Sequence, residues 1–154
     1  MKRSFTVQTT IARSAEDVFN AILAPDALTA YFVDRTSGAL EAGKRIVWTW
    51  EEWGDYPVEV DEVVPFSRIS LRLNTTDWKK SETNSYDVRV LFEIEELEPG
   101  RTMLKISESG WHDDAEGIKA SYDNCGGWQH MADCAKAWME HGIDLRKTYA
   151  PEEG

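Results

Sequence analysis

The last third of the chain changes its hydrophobic period, and that change narrows the available folds more than any other feature. Up to about residue 110 the apolar residues alternate; after Asp113 they recur at helical spacing. With Trp128 at zero on a helical wheel, Met131, Ala132, Ala135, Trp138 and Met139 fall on one broad face, and Cys125 and Ile118 extend it. Asp113 with Glu116 three residues later predicts a capping box at the start. Gly142 is placed to take a left-handed cap, with Ile143 reaching back to Trp138. Gly126-Gly127 interrupts the pattern, and each glycine costs about 1 kcal/mol relative to alanine in a helix interior. Either the helix bends there or the missing side chains make room for something.

Upstream, Ser4 to Ala12 alternates, with Phe5, Val7, Thr9 and Ile11 on one face of a half-buried strand. Ser14 caps a short helix carrying Val18, Phe19, Ile22 and Leu23, with Asp17 completing a weak capping box. Pro25 interrupts it, and Asp26 to Phe32 reads as a second short helix. From residue 34 to 110 strand follows strand. Ile46, Trp48 and Trp50 share one face, as do Ile69, Leu71 and Leu73, then Val88, Val90, Phe92 and Ile94, then Leu104 and Ile106. Pro57 to Val64 is a further strand, Asn74 to Ser85 is polar and loop-like, and Glu98-Pro99-Gly100-Arg101 is a turn. Such alternation means an antiparallel sheet with one wet face. One long helix with one apolar face cannot cover seven flat strands, so the sheet must curl around it, and the mouth of the curl is a natural cavity. The expected architecture is α+β: a curved seven-stranded antiparallel sheet around a long C-terminal helix, with two short helices after the first strand, in a single domain over 1–154.

Charge restricts the partners. A formal net charge of -11 disfavours nucleic acid and anionic membrane surfaces, both of which select clustered Lys and Arg. Lys2-Arg3 is followed by alternation rather than an apolar run, so neither a signal peptide nor membrane insertion is expected, and the default expectation is a cytoplasmic protein. Cys125 and Cys134, nine helical residues apart, lie roughly 13 Å from each other. A disulfide requires Cα atoms within about 7 Å, so both are expected as free thiols.

The element order and the Gly127-Trp128-x-x-Met131-x-x-x-Ala135-x-x-Trp138 pattern resemble the helix-grip superfamily of lipid-transfer and polyketide-cyclase-like (START-like) proteins. Within it the chain resembles the bacterial family named after the activator of the heat-shock-protein-90 ATPase. The opening Ala12-x-x-Ala15-Glu16-Asp17-Val18-Phe19 and the Thr102-x-Leu104-x-Ile106 strand carry the same likeness. The resemblance implies a hydrophobic cavity between sheet and helix and supplies no catalytic set to carry over. It makes a chaperone a candidate protein partner; an exposed sheet edge or the loop around Trp78 offers a surface for a homodimer.

Seven Trp supply large apolar surfaces suited to a core or to a ligand pocket. The candidate ligand-binding set begins with Trp48, Trp50, Phe92 and Trp128, whose strands and helix should face one space, with Trp138 further along the same helix face. Leu71 and Val90, then Leu104 and Ile106, line the sheet side; Met131 and Ala135 line the helix side. A packed core without ligand is an equal alternative. Glu108 continues the Leu104–Ile106 face, so a carboxylate points inward, where burial would raise its pKa and fit it for acid–base work, or else sits solvated at the rim. Tyr122, Asp123 and Asn124 are further rim candidates. His130, Cys134 and His141 occupy one stripe, but His141 lies roughly 10 Å beyond Cys134 along the axis, so a solvent-facing stripe is expected and no metal site. The acidic residues Glu51, Glu52, Glu59, Asp61 and Glu62 fit a solvated outer sheet face. There is no nucleophile elbow, phosphate-binding loop or dinucleotide fingerprint, and no cofactor is expected. The leading expectation is binding of a small hydrophobic or aromatic molecule; the alternatives are a cyclase- or hydratase-type enzyme on the same scaffold and a chaperone-interacting module.

Overall fold

The computed structural model describes residues 3–148; Lys2 and both ends of the domain expected over 1–154 lie outside the described residues. The elements run β1 (Arg3–Ile11), α1 (Ala15–Leu23), α2 (Pro25–Tyr31), β2 (Arg35–Thr36), β3 (Arg45–Trp50), β4 (Gly54–Val64), β5 (Arg68–Asn74), β6 (Asp87–Glu98), β7 (Arg101–Trp111) and α3 (Ala115–His141), followed by a 3₁₀ turn at Leu145–Thr148. All strands join one antiparallel sheet in the order β1-β7-β6-β5-β4-β3-β2. The first strand pairs with the last, from Arg3 opposite Trp111 to Ile11 opposite Thr102. The seventh strand, β2, is only Arg35 and Thr36, too short to leave an alternating signal.

Curvature follows from what touches α3. The helix packs chiefly on β1 and β7 at one end of the sheet. Its Trp128 also meets Trp48 of β3, near the other end, with ring centroids 6.4 Å apart. Five strand spacings separate β1 from β3, roughly 24 Å if flat, more than a helix about 10 Å wide can bridge. The sheet therefore wraps the helix, helped by a register shift between Val60 and Glu62 that bends β4.

Ser14 caps α1, its hydroxyl accepting from the Asp17 N–H at 3.1 Å. Pro25 does more than interrupt: it is the first residue of α2, where its missing N–H is harmless. The cap of α3 is Asp114 rather than Asp113. The Asp114 carboxylate accepts from Gly117 N–H at 2.8 Å, while Asp113 turns to Arg3 at 3.3 Å. Gly117 is required there, because a Cβ would sit 2.1 Å from His112 O. At the other end Gly142 is left-handed (φ 67°) and its N–H reaches Trp138 O at 2.8 Å, while Ile143 stays exposed. The helix is continuous through Gly126-Gly127.

Cross-strand ion pairs account for most of the acidic outer face: Arg45 with Glu59, Arg68 with Glu62, and Arg72 with Asp61 lie within 2.9 Å. The segment Asn74–Ser85 is a loop, as expected, and it turns one apolar residue inward. Trp78 is buried there, its Nε1 donating to Pro57 O at 2.7 Å.

Candidate functional site

Because α3 sits on the β1–β7 end, the sheet face beneath it is filled, and the hollow opens where β3 and β4 curl past the helix. A cavity of about 720 Å³ lies there, walled by α3, the β3–β4 hairpin, the end of α2 and the Thr75–Ser81 strap. Five of the lining residues form a closed circuit of ring contacts. Phe32 meets Trp50 edge-on at 5.1 Å, Trp50 meets Tyr56 at 5.5 Å, and Tyr56 meets Trp78 at 5.2 Å. Trp78 stacks on Trp128 at 6.4 Å, and Trp128 returns to Phe32 at 6.0 Å. The indole N–H of Trp50 donates to Phe32 O at 2.8 Å and that of Trp78 to Pro57 O, which leaves the ring faces as apolar wall. Trp53, 58% exposed, stands at the mouth.

Charged side chains surround the opening. Arg146 is held by Asp144 at 2.9 Å and by the carbonyls of Val33 and Thr29 at 3.0 Å, with Asp34 at 3.8 Å. Lys79 donates to Trp53 O at 2.6 Å and lies 4.5 Å from the Tyr56 ring centre. Its own backbone is left-handed (φ 60°), uncommon for a lysine. Lys80, half-buried, also lines the cavity.

Behind the helix wall lies Glu108, fully buried. Its Oε1 accepts from Trp111 Nε1 at 2.9 Å, its Oε2 from Trp128 Nε1 at 2.5 Å, and Asn124 Nδ2 donates to both oxygens at 3.2 and 3.0 Å. Burial pushes its pKa above the ordinary glutamate value; the N–H groups of Trp128, Asn124 and Trp111, and then the Lys80 charge, pull it part of the way back. Glu108 does not face the cavity. It holds two residues that do, Asn124 and Trp128, so its chemistry is positional.

Of the expected ligand-binding set, only Trp50 and Trp128 line the hollow. Trp48 is one layer behind, edge-on to Trp50, Trp78 and Trp128, and Phe92 abuts Trp128 at 5.6 Å. Leu71, Val90, Leu104 and Ile106 are wholly buried, and Met131 and Ala135 of α3 are buried with them in the core. Alternation identifies the inward face of a strand but not how far along the sheet the helix reaches. Trp138 stacks on Tyr31 at 5.5 Å, outside the circuit. Tyr122 faces away, accepting from Arg3 at 3.3 Å, whereas Asp123 joins Asn124 among the lining residues. The expected solvent-facing stripe holds at His130 and His141, which are exposed, and is corrected at Cys134. Cys134 is buried against the cavity beside His130, 3.5 Å away, because the helix turns this flank toward α2 and the segment of Asp144 and Arg146; burial pushes the thiol pKa up to about 11. Both cysteines are free. Phe32, Tyr56, Trp78 and Lys80 were not anticipated; the one available signal was Trp78, a large apolar residue isolated in a polar stretch.

The glycine pair fits room rather than bending. A Cβ at Gly126 or Gly127 would meet nothing within 4 Å, and Gly127 lines the cavity. Gly126→Ala is expected to stabilise the protein by about 1 kcal/mol, read as a rise of about 2–4 °C in Tm by calorimetry; no rise would mean the backbone there departs from helix.

A long C-terminal helix gripped by a curled antiparallel sheet, with two short helices after the first strand and a hollow at one end, defines a helix-grip, START-like protein. Residues 12–140 match the family model described as Activator of Hsp90 ATPase homolog 1-like protein, and the chain belongs to that family. No curated protein matches the chain. Solved structures share its fold. Protein SSP2350 of Staphylococcus saprophyticus is 21% identical, with a TM-score of 0.74 over 94% of this chain and 96% of that one. The Aha1 dimer of Colwellia psychrerythraea is 17% identical, with a TM-score of 0.72 over 91% and 98%. CalU16 of Micromonospora echinospora is 16% identical, with a TM-score of 0.69 over 98% and 79%. Among the described residues no helix is long and apolar enough to cross a membrane.

Proposed function

We propose that the chain acts as a single domain that binds a small apolar or aromatic molecule, lipid- or polyketide-like, in the hollow that these five rings help to line. The observation that carries this is the coexistence of a filled core under the helix with an open hollow of about 720 Å³ beside it, bounded by aromatic faces. Pockets for drug-sized ligands run from about 300 to 1,000 Å³. Removing about 300 Å² of apolar ligand surface from water supplies about 7 kcal/mol before the costs of association.

The cyclase or hydratase reading needs a proton-moving group within reach of the ligand. Glu108, shut behind Trp128 and Asn124, is not placed for that role, whereas Tyr56, the other kind of group this reading allows, lines the hollow. The Aha1 dimer among the fold neighbours and the family description favour one second reading, association with a chaperone or with another copy of the chain. Trp50→Ala separates the two, because Trp50 is half-buried and its loss enlarges the hollow without emptying the core. Under the binding reading, affinity for an apolar fluorophore falls by at least about tenfold, roughly 1.4 kcal/mol, as read by fluorescence titration, while the melting curve stays cooperative. Unchanged affinity would remove the cavity from the explanation. Native mass spectrometry of the purified protein then names the bound class.

A further inference from the structure

We propose that the molecule held in the cavity carries an acidic group, a carboxylate or its equivalent, that is met by Lys80; this rests on the binding reading above. The inference comes from pairing off the charges around the opening. Arg146 is surrounded by Asp144, Asp34 and two carbonyls, and Lys79 is committed to Trp53 O and the Tyr56 ring. Lys80 lines the same hollow, and among the described residues its ammonium makes no hydrogen bond and no ion pair. Glu52 and Asp123, the remaining acidic residues of the lining, are exposed and form no ion pair with it.

The position of Lys80 is nevertheless built. Its backbone N–H donates to Thr75 O at 2.8 Å, and Trp78, two residues earlier, is pinned to Pro57. Between them Lys79 holds a left-handed backbone, a conformation that persists in an L-residue only where its surroundings enforce it. The strap therefore sets a half-buried cation at the edge of an aromatic hollow. The buried carboxylate that feels its charge, Glu108, is already saturated by Trp111, Trp128 and Asn124. A lone ammonium beside apolar walls favours an apolar body bearing one negative group, since a charge-assisted hydrogen bond gains strength where water is partly excluded.

The test uses a matched pair of fluorophores sharing one ring system: 1-anilinonaphthalene-8-sulfonate, which is anionic, and N-phenyl-1-naphthylamine, which is neutral. The full chain is expected to bind the anionic probe about tenfold more tightly than the neutral one, a margin typical of one charge-assisted contact. Lys80→Met is expected to erase that margin, acting far more on the sulfonate than on the amine, while Lys44→Met, at an exposed lysine outside the lining, leaves the margin standing. Equal affinities in the wild type, or equal losses for both probes in Lys80→Met, overturn the acidic-group assignment and leave the cavity reading intact. If neither probe binds and Trp50→Ala changes nothing, the cavity reading itself falls and takes this inference with it. Circular dichroism of Lys80→Met confirms that the comparison is between folded proteins.

Discussion

Glu108→Ala is expected to lower the stability of the protein by about 3–5 kcal/mol, the range for removing one side of a buried charged network. The carboxylate is the acceptor for the N–H groups of Trp111, Asn124 and Trp128. Without it three buried donors lose their partner, each at about 1–3 kcal/mol, offset in part by no longer burying a charge. A urea melt reads the loss as a lower midpoint at unchanged slope; a change under about 1 kcal/mol would show that water or a backbone carbonyl replaces the carboxylate. The pH dependence has a definite sign. The folded protein raises the Glu108 pKa, so its contribution is fully present below the ordinary glutamate range and declines as pH climbs through the raised value. Glu140 and Asp144, whose pKa values are lowered by Lys136 and Arg146, run the other way and lose their contribution as pH falls. Subtracting the Glu108→Gln profile cancels them. The stability of the wild type minus that of the variant should shrink with rising pH, and a difference that grows instead would contradict the raised pKa.

Trp128→Ala is the second large effect, about 3–5 kcal/mol for truncating a buried aromatic. This ring touches Phe32, Trp48, Trp78 and Phe92, so its removal opens the cavity wall and the core together. Trp128→Phe keeps the ring surface and removes the N–H that serves Glu108, a loss of about 1–3 kcal/mol. The two sites share a hydrogen bond, so their losses should not add; a double-mutant cycle over Glu108→Gln and Trp128→Phe is expected to show coupling above about 0.5 kcal/mol. Strict additivity would mean the bond contributes nothing. Apolar probe binding should disappear in Trp128→Ala and largely survive in Trp128→Phe.

The fold was legible because its two periods are clean. Strand alternation around Val88–Ile94 and the Trp128–Met139 stripe leave one arrangement, and the Ser14 and Gly142 caps lie where the residue types indicate. Local chemistry misled at Asp113, since two adjacent aspartates offer the same cap and only the close approach of Gly117 to His112 O selects Asp114. The inward glutamate was visible as well: Glu108 obeys the period of its strand. The cavity was much less legible. Its position depends on how far α3 spreads across the sheet, a long-range packing outcome that no local pattern encodes. Trp78 and Lys80 reach it from a segment with loop composition, and Cys134 reaches it from the flank of a helix that packs on α2, about a hundred residues away.

Of the strands in this sheet, the one earliest in sequence is the one that finds its place last. Ile11 waits for Thr102, roughly 90 residues downstream, which at about 5–20 residues per second leaves the opening segment without its partner for several seconds on the ribosome. The hairpins from β3 to β6 can close in sequence during that delay, since each neighbour follows directly. Zipping β1 onto β7 is a contact of high sequence separation and sets a slow stage of assembly. Only afterwards can the closing helix tie down, through Lys136 to the Thr10 carbonyl and Glu140 to the Ala12 N–H. A nascent or truncated chain lacking that helix has no hollow to fill, so binding competence should be acquired all at once, when α3 docks.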